Sequence, residues 1–337
     1  MKRVQTQTSR SQRVTRLLLC AGASLFVADK AMAVSMLHTL NWGLTDDQNP
    51  YIAEGANWDS VGYIYWEENG SAFTGTGTLV RSAVDGEYKF LTAAHNPNSD
   101  HDNVIPASEF FVYFGDDAGE DGQDAVASVT VSSSNVALNP LWASTNGSSQ
   151  YDLAVFSFSP EAVTGVLPSA MSLSTANPIG QMGTTVGYGT WGNGQNFAGF
   201  GADGIRRAGT NMIDVVGDPD DNPTNTGFTI QTDFDGPNGE GHTIGSSVGL
   251  PLEATTASGD SGGPLLVDGE IVGVLNGGFP GLDGNASEYG DRSIWAPIMD
   301  PDNQAFLIAQ GIVIPEVSSA FLLAVCACGG LVRRRRL

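Results

Sequence analysis

Between residues 52 and 312 the chain runs as short apolar or alternating segments broken by glycine and acidic turns, the pattern of antiparallel strands. Val61 to Trp66, Gly75 to Val80, Lys89 to Ala93, Val104 to Phe114, Val126 to Val131 and Leu153 to Phe158 form a first series. A connector rich in Ser, Pro and Ala, residues 161–178, separates it from a second: Thr184 to Gly189, Arg206 to Val216, Phe228 to Thr232, Pro264 to Val267 and Glu270 to Leu275. Only Asp302 to Gln310 reads as a helix, with Asp300 or Asp302 as its cap. Many short strands without intervening helices predict an all-β body in two halves, 52–160 and 179–312.

The two ends break this pattern. Lys2, Arg3, Arg10, Arg13 and Arg16 precede the apolar stretch Leu17 to Ala28, and Ala31-Met32-Ala33 has the small-x-small form of a cleavage site. Residues 1–33 therefore read as a secretory signal peptide cut before Val34, with 34–51 an N-terminal extension or possible propeptide. Leu19 before Cys20 is poorly suited to lipoprotein processing, which argues against a lipid anchor. At the other end Val313-Ile314-Pro315-Glu316 leads into the uncharged run Val317 to Val332 and then four arginines, a stop-transfer pattern. This tail, 313–337, resembles the PEP-CTERM tails of Gram-negative envelope and matrix proteins, with Val317 in place of the second proline. The resemblance implies a sorting protease of the envelope as a partner; an uncleaved membrane anchor is the other reading. Both give an exported protein, at the cell envelope or outside the cell, whose membrane contact is through the tail only.

Composition agrees with export. Cys20, Cys326 and Cys328 all lie in the ends, so the body has no disulfide and depends on its apolar core. The chain has 15 Lys+Arg against 37 Asp+Glu, a formal net charge of −22, and most of the basic residues sit in the terminal segments. The body is thus strongly acidic, which excludes nucleic acid as a partner and favours solubility.

The candidate chemistry centres on Gly259-Asp260-Ser261-Gly262-Gly263-Pro264. Glycines around a serine permit a tight turn that exposes the hydroxyl and gathers backbone N–H groups into one small space. Serine needs a base and an orienting acid. All four histidines, His38, His95, His101 and His242, precede it, which excludes the Ser, acid, His order of α/β-hydrolases. His95 ends the apolar run Phe90-Leu91-Thr92-Ala93-Ala94 and is the best base. Asp152 heads the apolar run Leu153 to Phe158, where a buried carboxylate needs a partner such as an imidazole N–H.

Three separated motifs, Thr92-Ala93-Ala94-His95, Asp152-Leu153-Ala154 and Gly259 to Pro264, together resemble the trypsin-like, chymotrypsin-fold serine proteases. Gly75-Thr76-Gly77-Thr78-Leu79-Val80 and Gly187-Tyr188-Gly189-Thr190 are similar to supporting segments of that family. The resemblance spans roughly 52–312 and implies two antiparallel six-stranded β-barrels with a short C-terminal helix. It implies a serine endopeptidase acting on protein or peptide substrates through His95, Asp152 and Ser261, with Gly259 and Ser261 N–H groups as the oxyanion hole. By offset from Ser261 it places Thr255 at the floor of the specificity pocket and Gly277 and Gly278 on its wall, a pocket for neutral, apolar or small side chains. It further implies that Asp260 is held by a newly freed N-terminal amine, for which cleavage between Tyr51 and Ile52 is one route.

No cofactor is required by this chemistry. His101 reads as a surface-loop residue, and His242 lacks a spaced partner for a metal. Calcium is the ion the acidic loops Gly115 to Asp121 and Asp233 to Asn238 suit, although neither has EF-hand spacing. Two other readings share the fold: a catalytically silent surface or matrix binding protein, and a serine esterase.

Overall fold

The computed structural model describes residues 36–37, 48–119, 122–192, 194, 203–217, 227–236, 239–280 and 288–315. The signal-peptide reading, His38 and nearly all of the sorting tail lie outside the described residues. Among those residues no helix is long and apolar enough to cross a membrane.

In chain order the elements begin with the two-residue strand β1 (Met36–Leu37) and helix α1 (Asn49–Gly55). The first half then folds as β2 (Val61–Glu68), β3 (Ser71–Val80), β4 (Tyr88–Thr92), β5 (Glu109–Phe114), β6 (Ala127–Ser132), β7 (Val136–Leu138), helix α2 (Pro140–Ser144), β8 (Ala154–Phe158) and β9 (Val163–Gly165). The second folds as β10 (Met182–Gly187), β11 (Arg207–Met212), β12 (Val215–Gly217), β13 (Thr229–Asp233), β14 (Ala254–Thr255), β15 (Pro264–Val267), β16 (Glu270–Phe279), β17 (Arg292–Pro297) and helix α3 (Pro301–Ala309).

Both halves are curled antiparallel sheets, in the orders β7-β8-β4-β3-β2-β5-β6-β9 and β11-β10-β15-β16-β17-β13-β12. The expected six principal strands are present in each. The sheets reach eight and seven strands because the three-residue strands β7, β9 and β12 add to their edges. Asn69-Gly70 closes the β2–β3 hairpin and Asp268-Gly269 the β15–β16 hairpin, two-residue turns whose backbone twist matches that of the strands.

Alternation along these strands sends aromatic and branched residues inward. Phe90, Phe110, Phe114 and Phe156 fill the first half, with the Phe110 and Phe156 rings 5.0 Å apart. Ile230, Leu265, Leu275 and Trp295 fill the second. A third cluster draws on both halves, Val61, Tyr63 and Leu91 from one and Val186, Tyr188 and Val274 from the other. It forms the seam on which the site described below is built.

Several elements differ from expectation for local reasons. The expected strand 206–216 divides at Ile213–Asp214, where Ile213 N–H bonds Gln181 O and Asp214 N–H bonds Gln231 O. The strand expected from Val104 starts at Glu109, because Asn98 Nδ2 ties Val104 O into the preceding loop at 2.6 Å. Residues 49–55 are helical: Pro50 in the first turn pre-sets the backbone, and Tyr51 is fully buried with its hydroxyl 3.1 Å from Glu253 O. α3 is capped by Asp300, whose carboxylate accepts from the N–H groups of Asp302 and Asn303.

Candidate active site

His95 follows the end of β4, and Asp152 precedes β8, the strand paired with it. That pairing brings the two side chains together across 57 residues of sequence. His95 Nδ1 lies 2.6 Å from Asp152 Oδ2, and His95 N–H donates to Asp152 Oδ1 at 2.9 Å. The carboxylate is fully buried, while a quarter of the imidazole is exposed. Burial works to lower the imidazole pKa, but the Asp152 charge and hydrogen bond more than offset it and hold the pKa above its ordinary value of 6.5.

Sequence reasoning missed a third member of this cluster. Asn276 Nδ2 donates to Asp152 Oδ2 at 2.6 Å, and its own Oδ1 accepts from Ser149 Oγ at 2.8 Å. The register shift between Leu275 and Gly277 sets Asn276 apart from the regular β16–β17 pairing. Its amide supplies the buried carboxylate with a third donor, after His95 N–H and Nδ1.

Ser261 reaches this cluster through backbone contacts. Thr76 N–H on β3 donates to Ser261 O at 2.8 Å and Asn96 Nδ2 donates to the same oxygen at 2.9 Å, while Thr76 Oγ1 donates to Gly259 O at 2.8 Å. Gly259 and Gly262 take positive φ values of 97° and 84°, and a Cβ on Gly262 would lie 2.1 Å from Thr92 Oγ1. The glycines thus let the serine turn press against the strand that leads to His95. The N–H groups of Gly259 and Ser261 have no hydrogen-bond partner among the described residues, as oxyanion donors require. No hydrogen bond joins Ser261 Oγ to the imidazole, a bond that commonly tightens only when substrate binds.

Asp260, beside the serine, is buried. Its Oδ1 accepts from Gly189 N–H at 2.7 Å and its Oδ2 from Ala257 N–H at 2.8 Å. Burial dominates these two bonds and the nearby Arg207, and pushes the carboxyl pKa up to about 7. In the uncleaved chain these two amides hold the carboxylate and Ile52 lies within α1. A small pocket of about 20 Å³, lined in part by Gly187, Arg207, Gly209 and Thr255, borders Asp260. β1 pairs with β14 nearby, Met36 opposite Thr255.

The close packing explains the Gly187-Tyr188-Gly189 segment. A Cβ on Gly187 would lie 2.0 Å from Asp260 Oδ1. Gly187→Ala is expected to cost about 1–3 kcal/mol of stability, as overpacking does, and to lower activity by shifting Asp260 and with it Ser261. Urea unfolding and kcat/KM of the variant check both; wild-type values in each would show that Asp260 moves freely.

The other predicted residues fall as follows. Thr255 Oγ1 lies 3.0 Å from Ser293 Oγ, and Thr256 Oγ1 lies 2.8 Å from the same atom. Gly278 is the partner of Ser293 across β16–β17, and the missing Cβ of Gly277 faces open space. Ser293, which the sequence did not single out, therefore meets two of the three expected pocket residues, Thr255 and Gly278, while Gly277 pairs with Ile294. His101 is half-buried, its ring packed edge-on at 4.6 Å against Trp142. Of the first acidic loop, Asp116 is committed to Arg206 and Asp117 Oδ1 accepts from Gly119 N–H, while Glu120 and Asp121 lie outside the described residues.

No protein-family model matches the chain. It is similar to Trypsin iota of Drosophila melanogaster, 30% identical over 148 residues that make up 44% of this chain and 52% of that protein. The chain thus spans about half the length of the curated relative it matches. Among solved structures it resembles the thermostable serine protease AL20 from an extremophilic microorganism, 17% identical with a TM-score of 0.50 over 76% of this chain and 98% of that one. The protease Anisep from Arthrobacter nicotinovorans is 18% identical with a TM-score of 0.48, over 75% of this chain and 95% of that one. The two curled antiparallel sheets with a short closing helix are the fold of the chymotrypsin-like serine proteases.

Proposed function

We propose that the chain is an exported serine endopeptidase that hydrolyses peptide bonds through His95, Asp152 and Ser261. The observation that carries this reading is the imidazole held at Nδ1 by a buried carboxylate, on the segment to which the serine turn is tied. With its Nδ1–H donating a hydrogen bond to the Asp152 carboxylate, His95 presents Nε2 as the free base. Nε2 takes the proton of Ser261 Oγ as the oxygen attacks the carbonyl carbon, then passes it to the leaving amine as the C–N bond breaks. An ester remains on Oγ. Water, deprotonated by the same nitrogen, attacks that ester and frees the acid and the serine. In both halves the Gly259 and Ser261 N–H groups receive the oxyanion, each worth roughly 3 kcal/mol of transition-state stabilisation.

Thr255, Gly277 and Gly278, joined by Ser293, supply hydroxyls and open glycine backbone to the proposed pocket, which suits neutral, apolar or small side chains. The segments 1–33 and 313–337 and the acidic body support export to the envelope or exterior of a Gram-negative bacterium, with processing of the tail by a sorting protease. Incubation with a peptide library, with cuts mapped by mass spectrometry, tests the reading: cleavage beside neutral residues that is lost in Ser261→Ala supports it. Hydrolysis of activated esters without peptide cleavage would make the chain an esterase. Neither activity would make it a silent binding protein.

The raised imidazole pKa fixes the direction of the pH dependence. His95 must be neutral to accept a proton, so kcat/KM is expected to rise with pH through a midpoint above 6.5. For stability the sign is opposite: the His95⁺–Asp152 contribution is complete below the unfolded value and is lost as pH rises through the folded one. Asn276→Ala removes a donor to a charged carboxylate and is expected to lower kcat/KM about 10- to 100-fold. A pH–rate profile of both proteins measures these effects, and an unchanged rate in Asn276→Ala would remove Asn276 from the positioning of Asp152.

A further inference from the structure

Beyond β13 the chain turns back on itself and brings together three side chains that the proposed reaction does not use. Asp233, the last residue of β13, is 1% exposed, and its Oδ2 is occupied by three donors: Thr243 N–H at 2.6 Å, Ile244 N–H at 2.8 Å and Thr243 Oγ1 at 3.0 Å. Its Oδ1 is buried with no hydrogen-bond partner among the described residues. Asp235 is also buried, and His242 Nδ1 lies 3.2 Å from Asp235 Oδ1 and 3.4 Å from Asp233 Oδ2. One potential ligand atom from each of the three residues falls within a set spanning no more than 4.8 Å. Alongside, Asp214 accepts from Ser246 N–H through Oδ1, and its Oδ2 is a second buried oxygen without a partner.

Leaving carboxylate oxygens buried and unpaired is costly unless a positive charge or a donor meets them. We propose that Asp233, Asp235 and His242 form a divalent-cation site of the zinc type. A tetrahedral ion with bonds of about 2.0–2.2 Å keeps its ligands roughly 3.3–3.5 Å apart, close to the 3.2 and 3.4 Å between the imidazole and the two carboxylates, and Asp233 Oδ1 is the oxygen left over for it, since Oδ2 is taken by three donors. The imidazole also decides the class of metal. Calcium takes oxygen ligands, whereas a mixed set of imidazole and carboxylate suits zinc. The expectation of calcium at Asp233 to Asn238 thereby becomes a zinc-type site that recruits His242; Asn238 itself lies outside the described residues. The ion ties the returning chain at 242–244 to the end of β13, beside β17, whose Ser293 bonds Thr255 and Thr256. It is therefore a structural support behind the proposed pocket and independent of the serine chemistry.

The test is made on the full chain after chelator treatment, titrated with Zn²⁺, Ca²⁺ and Mg²⁺ and followed by calorimetric stoichiometry and Tm, neither of which requires proteolysis. One Zn²⁺ per chain is expected, with Tm raised by roughly 5–10 °C at about a hundred times Kd, and a much smaller effect of the other two ions. Asp235→Asn and His242→Ala are each expected to weaken Zn²⁺ binding by about tenfold or more. A metal-free Tm near the wild-type value shows that His242→Ala folds. The proposal is overturned if Zn²⁺ gives no saturable shift or binds both variants as tightly as the wild type, which would mark general attraction to an acidic surface. Calcium binding that His242→Ala leaves intact would overturn it equally.

Discussion

Ser261→Ala, His95→Ala and the double variant are each expected to lose about 10⁶-fold in kcat, with the double no worse than either single change. In the proposed mechanism the two residues act on one proton: without Oγ the imidazole has nothing to activate, and without Nε2 the hydroxyl has no base. What remains, about 10³–10⁴-fold over water, would come from the Gly259 and Ser261 N–H groups and from substrate binding. Ser261→Ala should leave Tm unchanged, because the contacts that place this residue run through its backbone oxygen to Thr76 and Asn96. Asp152→Asn is a different case. It should lower kcat about 10⁴-fold by favouring the wrong tautomer. It should also destabilise the fold, because the buried carboxylate accepts from His95 N–H and from Asn276. Losses that simply add between Ser261 and His95 would contradict a shared step.

The largest effect on stability is expected at Arg206, a residue that the proposed reaction does not use. Its side chain is fully buried at the seam between the two halves. Nε donates to Gly55 O at 2.9 Å, and Nη1 to Val61 O, Gly115 O and Tyr188 Oη at 3.1–3.3 Å. Nη2 meets Asp59 and Asp116, whose side chains are 73% and 61% exposed. Water can replace the arginine at those two acids, so the ion pairs themselves contribute little. The three carbonyls lie in the buried seam, where without the arginine Gly55 O keeps only Trp58 N–H, and Val61 O and Gly115 O are left with the single Tyr188 hydroxyl between them. Arg206→Met is therefore expected to cost about 3–5 kcal/mol, lowering Tm by roughly 6–20 °C, whereas Asp116→Asn should cost about 1 kcal/mol or less. Thermal and urea unfolding of the two variants measure the difference, and equal losses would place the stabilisation in the ion pair instead. Tyr188 belongs to the same knot: its hydroxyl lies 2.6 Å from Gly115 O, and burial pushes its pKa up to about 12.

What could be read in the sequence, and what could not, follows the range of the interactions. His95, Asp152 and the serine turn each carry a local signature, a polar residue bounded by an apolar strand or by glycines, and His95 Nδ1 lies 2.6 Å from Asp152 Oδ2. Asn276 has no such signature. It sits inside the apolar run of β16, and its role depends on a register shift and on a partner 124 residues away. Arg206 was legible only as a strand residue because most of its partners are backbone carbonyls, which no side-chain pattern reveals. β17 was missed because Arg292-Ser293-Ile294-Trp295-Ala296-Pro297 is short and ends in proline, although burial between β16 and β13 makes it a central strand. α1 carries a readable signal in Asn49-Pro50, where proline suits the first turn of a helix. His242 looked partnerless because its carboxylates come seven and nine residues earlier through an irregular turn, where spacing carries no periodicity.

The central claim is that Ser261 is an activated nucleophile served by His95. Its most direct test is reaction of the purified chain with a fluorophosphonate probe, followed by mass mapping of the labelled peptide, beside Ser261→Ala and His95→Ala. Labelling at Ser261 that disappears in both variants is the predicted result. A folded wild-type chain that takes up no label, or labelling at Ser261 that survives in His95→Ala, would contradict the account.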